Sequence, residues 1–185
     1  MKLYGSYTSP FVRHCRIALI ETNCACEFIE TDQAASATQS PTKRVPFLED
    51  GDLFLTDSTA ILKHLREKAG QPFLVKTTEL NDFCIINTAL DSTVNLFFLQ
   101  RDGVDLQAHE YTRRQAARIE SSLAELNALK LPTQAPYSDV HLRLACYLAW
   151  GLFRNRINID EHENLRHFLA GIQQYQPFKD TAIPT

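Results

Sequence analysis

Apolar positions change their spacing along the chain near residue 75. Before that point, short runs of strand character alternate with helical stretches. Lys2-Leu3-Tyr4-Gly5 reads as a first strand. Pro10 to Glu21 reads as a helix, because Phe11, Val12, Cys15, Ala18 and Leu19 recur at helical spacing. Pro10 suits the first turn, where a missing N–H leaves no bond unmade. Cys26 to Glu30 reads as a second strand, and the polar stretch Asp32 to Pro41 as a loop with at most a short helix. Val45 to Glu49 and Asp52 to Leu55 flank Asp50-Gly51, which predicts a hairpin through a type I′ turn. Ser58 to Lys68 is a helix with Ile61, Leu62 and Leu65 on one face, stopped by Gly70 and Pro72.

From Thr78 onward strand character disappears. Helices are predicted over Leu80 to Gln100, Leu106 to Leu129, Asp139 to about Phe153, and roughly Glu163 to Tyr175. Tyr111, Ala116, Ile119, Leu123, Leu126 and Leu129 make up the apolar series of the second of these. Pro177 and Pro184 mark an irregular tail. The pattern divides the chain into an α/β domain over 1–74, a linker over 75–80 and an all-helical domain over 81–185. In the last-but-one helix, Ser138 stands at the cap and His141 stands where a capping box places an acid. That predicts a weaker cap, or one for which Asp139 compensates.

The 185 residues are 44% hydrophobic and 22% charged, as in an ordinary folded protein. No apolar run reaches the length of a membrane span, and the first residues lack the apolar core of a signal peptide. The net charge is −3 with no strongly basic stretch, so neither nucleic acid nor membrane is an expected partner. The two halves do not differ in polarity: residues 1–74 carry 8 basic and 9 acidic groups, the remainder 11 and 13. The 5 cysteines, with no secretion signal, fit a reducing cytoplasm and structural thiols rather than disulfides. Cys24-Ala25-Cys26 lacks the spacing of a zinc or dithiol centre. His109-Glu110 and His162-Glu163 lack the second histidine of a zinc protease helix. No metal is expected.

Three segments carry a resemblance. Tyr7-Thr8-Ser9-Pro10-Phe11-Val12-Arg13, followed by Arg16-Ile17-Ala18-Leu19, is similar to the opening of serine-type bacterial members of the cytosolic glutathione transferase family. Arg44-Val45-Pro46-Phe47-Leu48 resembles that family's K-V-P-x-L segment, and Thr56-Asp57-Ser58-Thr59-Ala60-Ile61 its acidic-Ser segment. A weaker likeness covers His162-Glu163-Asn164-Leu165 to Gln176-Pro177-Phe178. The resemblance implies a thioredoxin-like N-terminal domain, an all-α C-terminal domain, a cytoplasmic homodimer, and glutathione as cosubstrate in detoxification.

It also implies roles for residues. Ser9 would donate to the glutathione sulfur and hold it as thiolate, helped by the helix start. Asp57 would meet the γ-glutamyl ammonium, and Ser58, opening a helix, a carboxylate. Lys43 and Arg44 would meet the glycyl carboxylate. Val45, before a cis Pro46, would offer its backbone to the cysteinyl unit. Phe11, Phe98, Tyr111 and Phe153 either line a pocket for a small hydrophobic electrophile or belong to the core. Arg13 and Arg16 read as helix-packing or dimer-surface residues. Ser9-Pro10-Phe11-Val12 stands where dithiol relatives carry C-P-x-C, so a protein dithiol cycle is excluded at that position. Two other readings stay open: a non-catalytic module that binds a protein partner, and a glutathione-dependent isomerase or peroxidase using the same site.

Overall fold

The computed structural model describes residues 1–184, the side chain of Gln33 excepted. Thr185, the last residue of the expected helical domain, lies outside the described residues. The elements are β1 (Lys2–Gly5), α1 (Pro10–Thr22), β2 (Glu27–Glu30), α2 (Gln33–Gln39), β3 (Phe47–Asp50), β4 (Leu53–Leu55), α3 (Ser58–Lys68), α4 (Thr77–Arg101), α5 (Glu110–Asn127), α6 (Asp139–Phe153), α7 (Glu163–Ile172) and α8 (Gln176–Asp180). The chain divides into two compact units, Met1–Val75 with Gln176–Thr185, and Lys76–Tyr175. The first is thioredoxin-like and the second all-helical.

In the first unit the sheet order is β2-β1-β3-β4. β1 and β2 are parallel, while β3 runs antiparallel to both β1 and β4. Leu3 and Leu48 are fully buried, Phe47 is nearly so, and Tyr4 stacks on Phe47 at 4.5 Å. Helix α1 sits very close to β1. A Cβ built on Gly5 would stand 2.6 Å from both Val12 methyl carbons, so the close approach needs glycine there. On α3, Ile61, Leu62 and Leu65 are fully buried, as their spacing predicts.

The hairpin differs from expectation in its turn. Asp50 pairs with Leu53 inside the ladder, and the loop is Gly51-Asp52. Only Gly51 has positive φ, at 60°, so the type I′ turn gives way to one led by glycine. Asp50 is held in the strand by α3: its Oδ2 accepts from Lys68 Nζ at 2.7 Å and from His64 Nε2 at 2.9 Å. Those two donors, Lys68 first, hold the Asp50 carboxyl below its ordinary range. The polar stretch after β2 forms the short helix α2, because the Asp32 carboxylate accepts the Ala35 N–H at 2.7 Å.

In the second unit, α4 begins at Thr77, within the stretch expected to be linker. Its first turn is exposed and so carries no apolar signal, yet Leu80 N–H already bonds to the Lys76 carbonyl at 3.0 Å. Helix α5 begins at Glu110 rather than Leu106, and its buried stripe is Thr112, Gln115, Ile119, Leu123 and Leu126. Tyr111 lies off that stripe and is 68% exposed. Polar contacts cross between helices: Ser92 donates to Gln115 Oε1 at 3.0 Å, and the Thr93 and Tyr147 hydroxyls meet at 3.0 Å. Burial pushes the Tyr147 phenol well above its usual range.

The cap of α6 is also a correction. The His141 Nδ1 accepts the Ser138 N–H at 3.1 Å and lies 3.0 Å from the Ser138 hydroxyl. A neutral imidazole therefore does what a carboxylate does in a capping box. Burial lowers the His141 pKa and keeps the ring in that form.

The tail is the largest difference. Residues 176–180 form α8, with Pro177 tolerated near its start, and the segment belongs to the first unit. Among the described residues no helix is long and apolar enough to cross a membrane. Among the described residues no disulfide joins the cysteines: Cys15 and Cys146 are buried, Cys24 and Cys26 half-buried, and Cys84 is exposed, so burial does not account for all 5.

Candidate functional site

Sheet register gathers the three sequence segments at one end of the first unit. Tyr4 pairs with Phe47 and Leu48 with Leu55. Continued by one or two residues, that antiparallel register brings the loop after β1, the Val45-Pro46 approach to β3, and the Thr56-Asp57 exit from β4 to the same edge. Helices α1 and α3 both start there. They pack together below, where the fully buried Cys15 thiol lies 4.0 Å from the Ser58 carbonyl.

The loop before α1 is a run of hydroxyls. Ser6 and Thr8 are joined at 3.0 Å, and Ser9 N–H donates to the Ser6 carbonyl at 3.1 Å. Sequence reading did not single out Ser6 or Thr8, although the Ser-Tyr-Thr-Ser run before Pro10 was visible. Ser9 is the cap of α1 with φ −79° and ψ 127°. Its Oγ accepts the Val12 N–H at 3.3 Å, a long bond that holds the hydroxyl loosely. Among the described residues nothing accepts the Ser9 O–H, so that donor is available to a ligand. The first turn of α1 holds no acidic side chain, which leaves the positive helix start unneutralised. Nearby, the Arg16 guanidinium lies 4.6 Å from the Tyr7 ring centroid, and burial lowers its pKa.

Val45-Pro46 is a cis peptide, as the resemblance implies. Val45 is half-buried and Pro46 buried, while Lys43 and Arg44 are exposed. Lys43 has φ 53° and its N–H bonds to the Ser40 carbonyl at 2.9 Å, so it stands in a tight turn just before the cis bond. Asp57 is exposed and caps α3, accepting the Thr59 N–H at 2.7 Å. Capping uses one carboxylate oxygen and leaves acceptor capacity on the other. Ser58 is 4% exposed at the first position of α3. The arrangement offers a hydroxyl donor and two helix starts for anionic groups, an exposed carboxylate for a cation, and the Val45-Pro46 backbone beside them.

The aromatic candidates are divided between the two units. Phe11 is on α1, half-buried, in the first unit. Phe98, Tyr111 and Phe153 belong to the second. Phe98 meets Phe97 at 5.3 Å, and Phe97 and Phe153 share the Arg154 guanidinium at 5.5 and 5.1 Å. Tyr111 and Phe153 are 68% and 46% exposed.

Comparison with known proteins gives a consistent answer. A family model described as "Glutathione S-transferase, N-terminal domain" matches residues 3–73. A probable glutathione S-transferase of Oryza sativa subsp. japonica is 28% identical over 156 residues, 80% of this chain and 72% of that protein. Among solved structures, a glutathione transferase family member from Pseudomonas fluorescens Pf-5 with bound glutathione has a TM-score of 0.86 at 21% identity, covering 100% of this chain and 99% of that one. A glutathione S-transferase from Methylobacillus flagellatus KT, also with glutathione bound, has a TM-score of 0.85 at 20% identity and 99% coverage of both chains. Residues 3–73 thus match the N-terminal domain of glutathione S-transferases by sequence, and the whole chain shares the fold of glutathione transferases of known structure.

Proposed function

We propose that the chain is an active glutathione transferase, in which the Ser9 hydroxyl and the start of α1 ionise the glutathione thiol for attack on a small hydrophobic electrophile. A free thiol of pKa about 8.5 is only ~3% ionised at pH 7. Lowering that pKa by about two units takes roughly 2.7 kcal/mol of preferential thiolate stabilisation. A hydrogen bond to a charged acceptor is worth about 1.5–3 kcal/mol, and a helix start adds about 0.3–1 kcal/mol. Their sum meets the requirement. Ser9 is then an electrostatic stabiliser, and the nucleophile is the sulfur of the cosubstrate.

The rest of the tripeptide has a partner for each group. Asp57 takes the γ-glutamyl ammonium, and the N–H groups at Ser58 its carboxylate. Val45, before the cis Pro46, pairs with the cysteinyl backbone. Lys43 and Arg44 face the glycyl carboxylate. Phe11, Phe98, Tyr111 and Phe153 are proposed to receive the electrophile. The reading carries with it a cytoplasmic homodimer engaged in detoxification.

The observation that carries this reading is the Ser9 O–H, left without an acceptor beside a helix start that holds no acid. Calorimetric titration with glutathione, followed by ultraviolet titration of the bound thiol, tests it. Sub-millimolar binding and a thiol pKa that rises in Ser9→Ala support it. Absence of both effects points to a non-catalytic partner module.

A further inference from the structure

The first unit is discontinuous in sequence, since Gln176–Thr185 groups with Met1–Val75. The tail reaches the unit on α1, at Arg13. That residue lies four places after the Ser9 cap, and its backbone N–H closes the first turn on the Ser9 carbonyl at 2.9 Å. Its side chain is almost wholly buried. Nη2 donates to the Phe178 carbonyl at 2.8 Å, and the guanidinium carbon stands 3.7 Å from the Phe178 ring centroid. Phe178 is 3% exposed, and its carbonyl also lies 3.3 Å from the Thr181 hydroxyl, itself 1% exposed. A five-residue helix has no stability of its own, so α8 is held by such contacts. They in turn hold Arg13.

The geometry matters for Ser9 because helical side chains lean toward the helix start. Arg13 therefore projects from the second turn back beneath the first. The Ser9 hydroxyl is tied to its own helix only by the long contact to Val12. Its place is set by what the underside of the first turn rests on. Gly5 and Val12 form the support from the sheet side. Arg13, one turn beyond Ser9, packs on Phe178 from the tail.

We infer that Arg13, anchored by Phe178, is a positioning residue for the Ser9 hydroxyl, so that the C-terminal segment helps build the thiol site. The inference rests on the thiolate reading above. It assigns no contact between Arg13 and the substrate. Charge alone does not suffice for the role, because both the Nη2 donor and the stacking of the guanidinium on the ring are used.

The experiment uses the full chain carrying Arg13→Lys, which keeps the charge but loses the planar guanidinium, or Phe178→Leu, which keeps an apolar side chain but loses the ring, with Phe178→Ala as a stronger change. Three quantities are read: melting temperature, pKa of the bound glutathione thiol by ultraviolet titration, and kcat and KM against pH with an activated aryl halide. In Arg13→Lys and Phe178→Leu we expect the thiol pKa to rise by about half to one unit, leaving roughly three- to tenfold less thiolate below neutrality. In them, kcat falls by the same factor at low pH and recovers at high pH, with KM for glutathione nearly constant. Folded variants whose melting temperature drops while the thiol pKa stays put overturn the inference, since a merely structural anchor gives that result. If Phe178→Ala does not fold, Arg13→Lys decides. A wild-type protein that leaves the bound thiol at its ordinary pKa removes the thiolate reading and this inference together. A wild type with a lowered pKa and unmoved variants removes this inference alone.

Discussion

Serines stand at the caps of α1 and α6, and the two caps are built differently. Ser138 is closed off. Its N–H and hydroxyl both meet His141 Nδ1, and the rings of Tyr137 and Phe168 lie 6.4 and 6.2 Å from the His141 ring. Ser9 has no such partner. The third residue of its helix is Val12, which supplies only a backbone N–H at 3.3 Å. A cap answered by its own helix has finished its hydrogen bonding. One answered by a single long bond has a donor to spare. On the proposed thiolate role, the same residue type at the same helical position is structural in α6 and chemical in α1, and the third residue of the helix makes the difference.

Four predictions bear on that contrast. The largest effect expected is for Ser9→Ala, which lowers conjugation rate at pH 6.5 by roughly 10- to 100-fold, the worth of a hydrogen bond to a charged acceptor. Ser138→Ala leaves that rate within about twofold while lowering unfolding stability by about 1 kcal/mol, a typical cap loss. Steady-state kinetics and urea unfolding of both variants check the crossing; a Ser138→Ala as slow as Ser9→Ala would dissolve it. Next, Gly5→Ala drives a methyl into Val12 and shifts the start of α1, costing about 1–3 kcal/mol as overpacking does. Thiol titration of that variant also shows a raised pKa, because Val12 is the partner of Ser9.

Asp57→Asn weakens glutathione binding by about tenfold, measured by calorimetry, the scale of one lost ion contact at an exposed site. It leaves α3 capped, since asparagine caps as well as aspartate. The smallest effect concerns pH. Burial lowers the His141 pKa, so the folded ring binds a proton less readily than the unfolded one. Stability is then full above about pH 6.5 and declines as pH falls from there toward the folded pKa. His141→Asp removes that decline, and urea midpoints at pH 7.5 and 5.5 show it.

The helical spacing of Pro10 to Glu21 and Ser58 to Lys68 matches α1 and α3; α3 buries one regular face, whereas α1 also buries Arg13 and His14 and leaves Phe11 and Leu19 half-buried. The site segments were also legible. Ser9, Val45-Pro46 and Asp57-Ser58 each sit at an element boundary, where proline and capping residues speak locally. Helix starts hidden on exposed surface were not legible. Thr77 to Glu79 carry no pattern, and Leu106 lies in a turn that continues the apolar series before α5 begins. Tyr111 was drawn into the series of Ile119 and Leu123 by its character, though Thr112 keeps the spacing that burial follows. His141 was misread because its capacity as a cap depends on being neutral, and its surroundings decide that.

The sequence alone determined which stretches are strands and helices, where the chain changes from mixed to helical, and which residues begin α1 and α3. Those are local properties, written in the periodicity and caps of a few consecutive residues. Only the tertiary structure decided that Ser9, Val45 and Asp57 share one end of a sheet, that Gly5 lets α1 approach β1, and that Phe178 returns to stack on Arg13. Such pairings join residues as much as 165 positions apart, and no local pattern records a contact made only when the whole chain closes on itself.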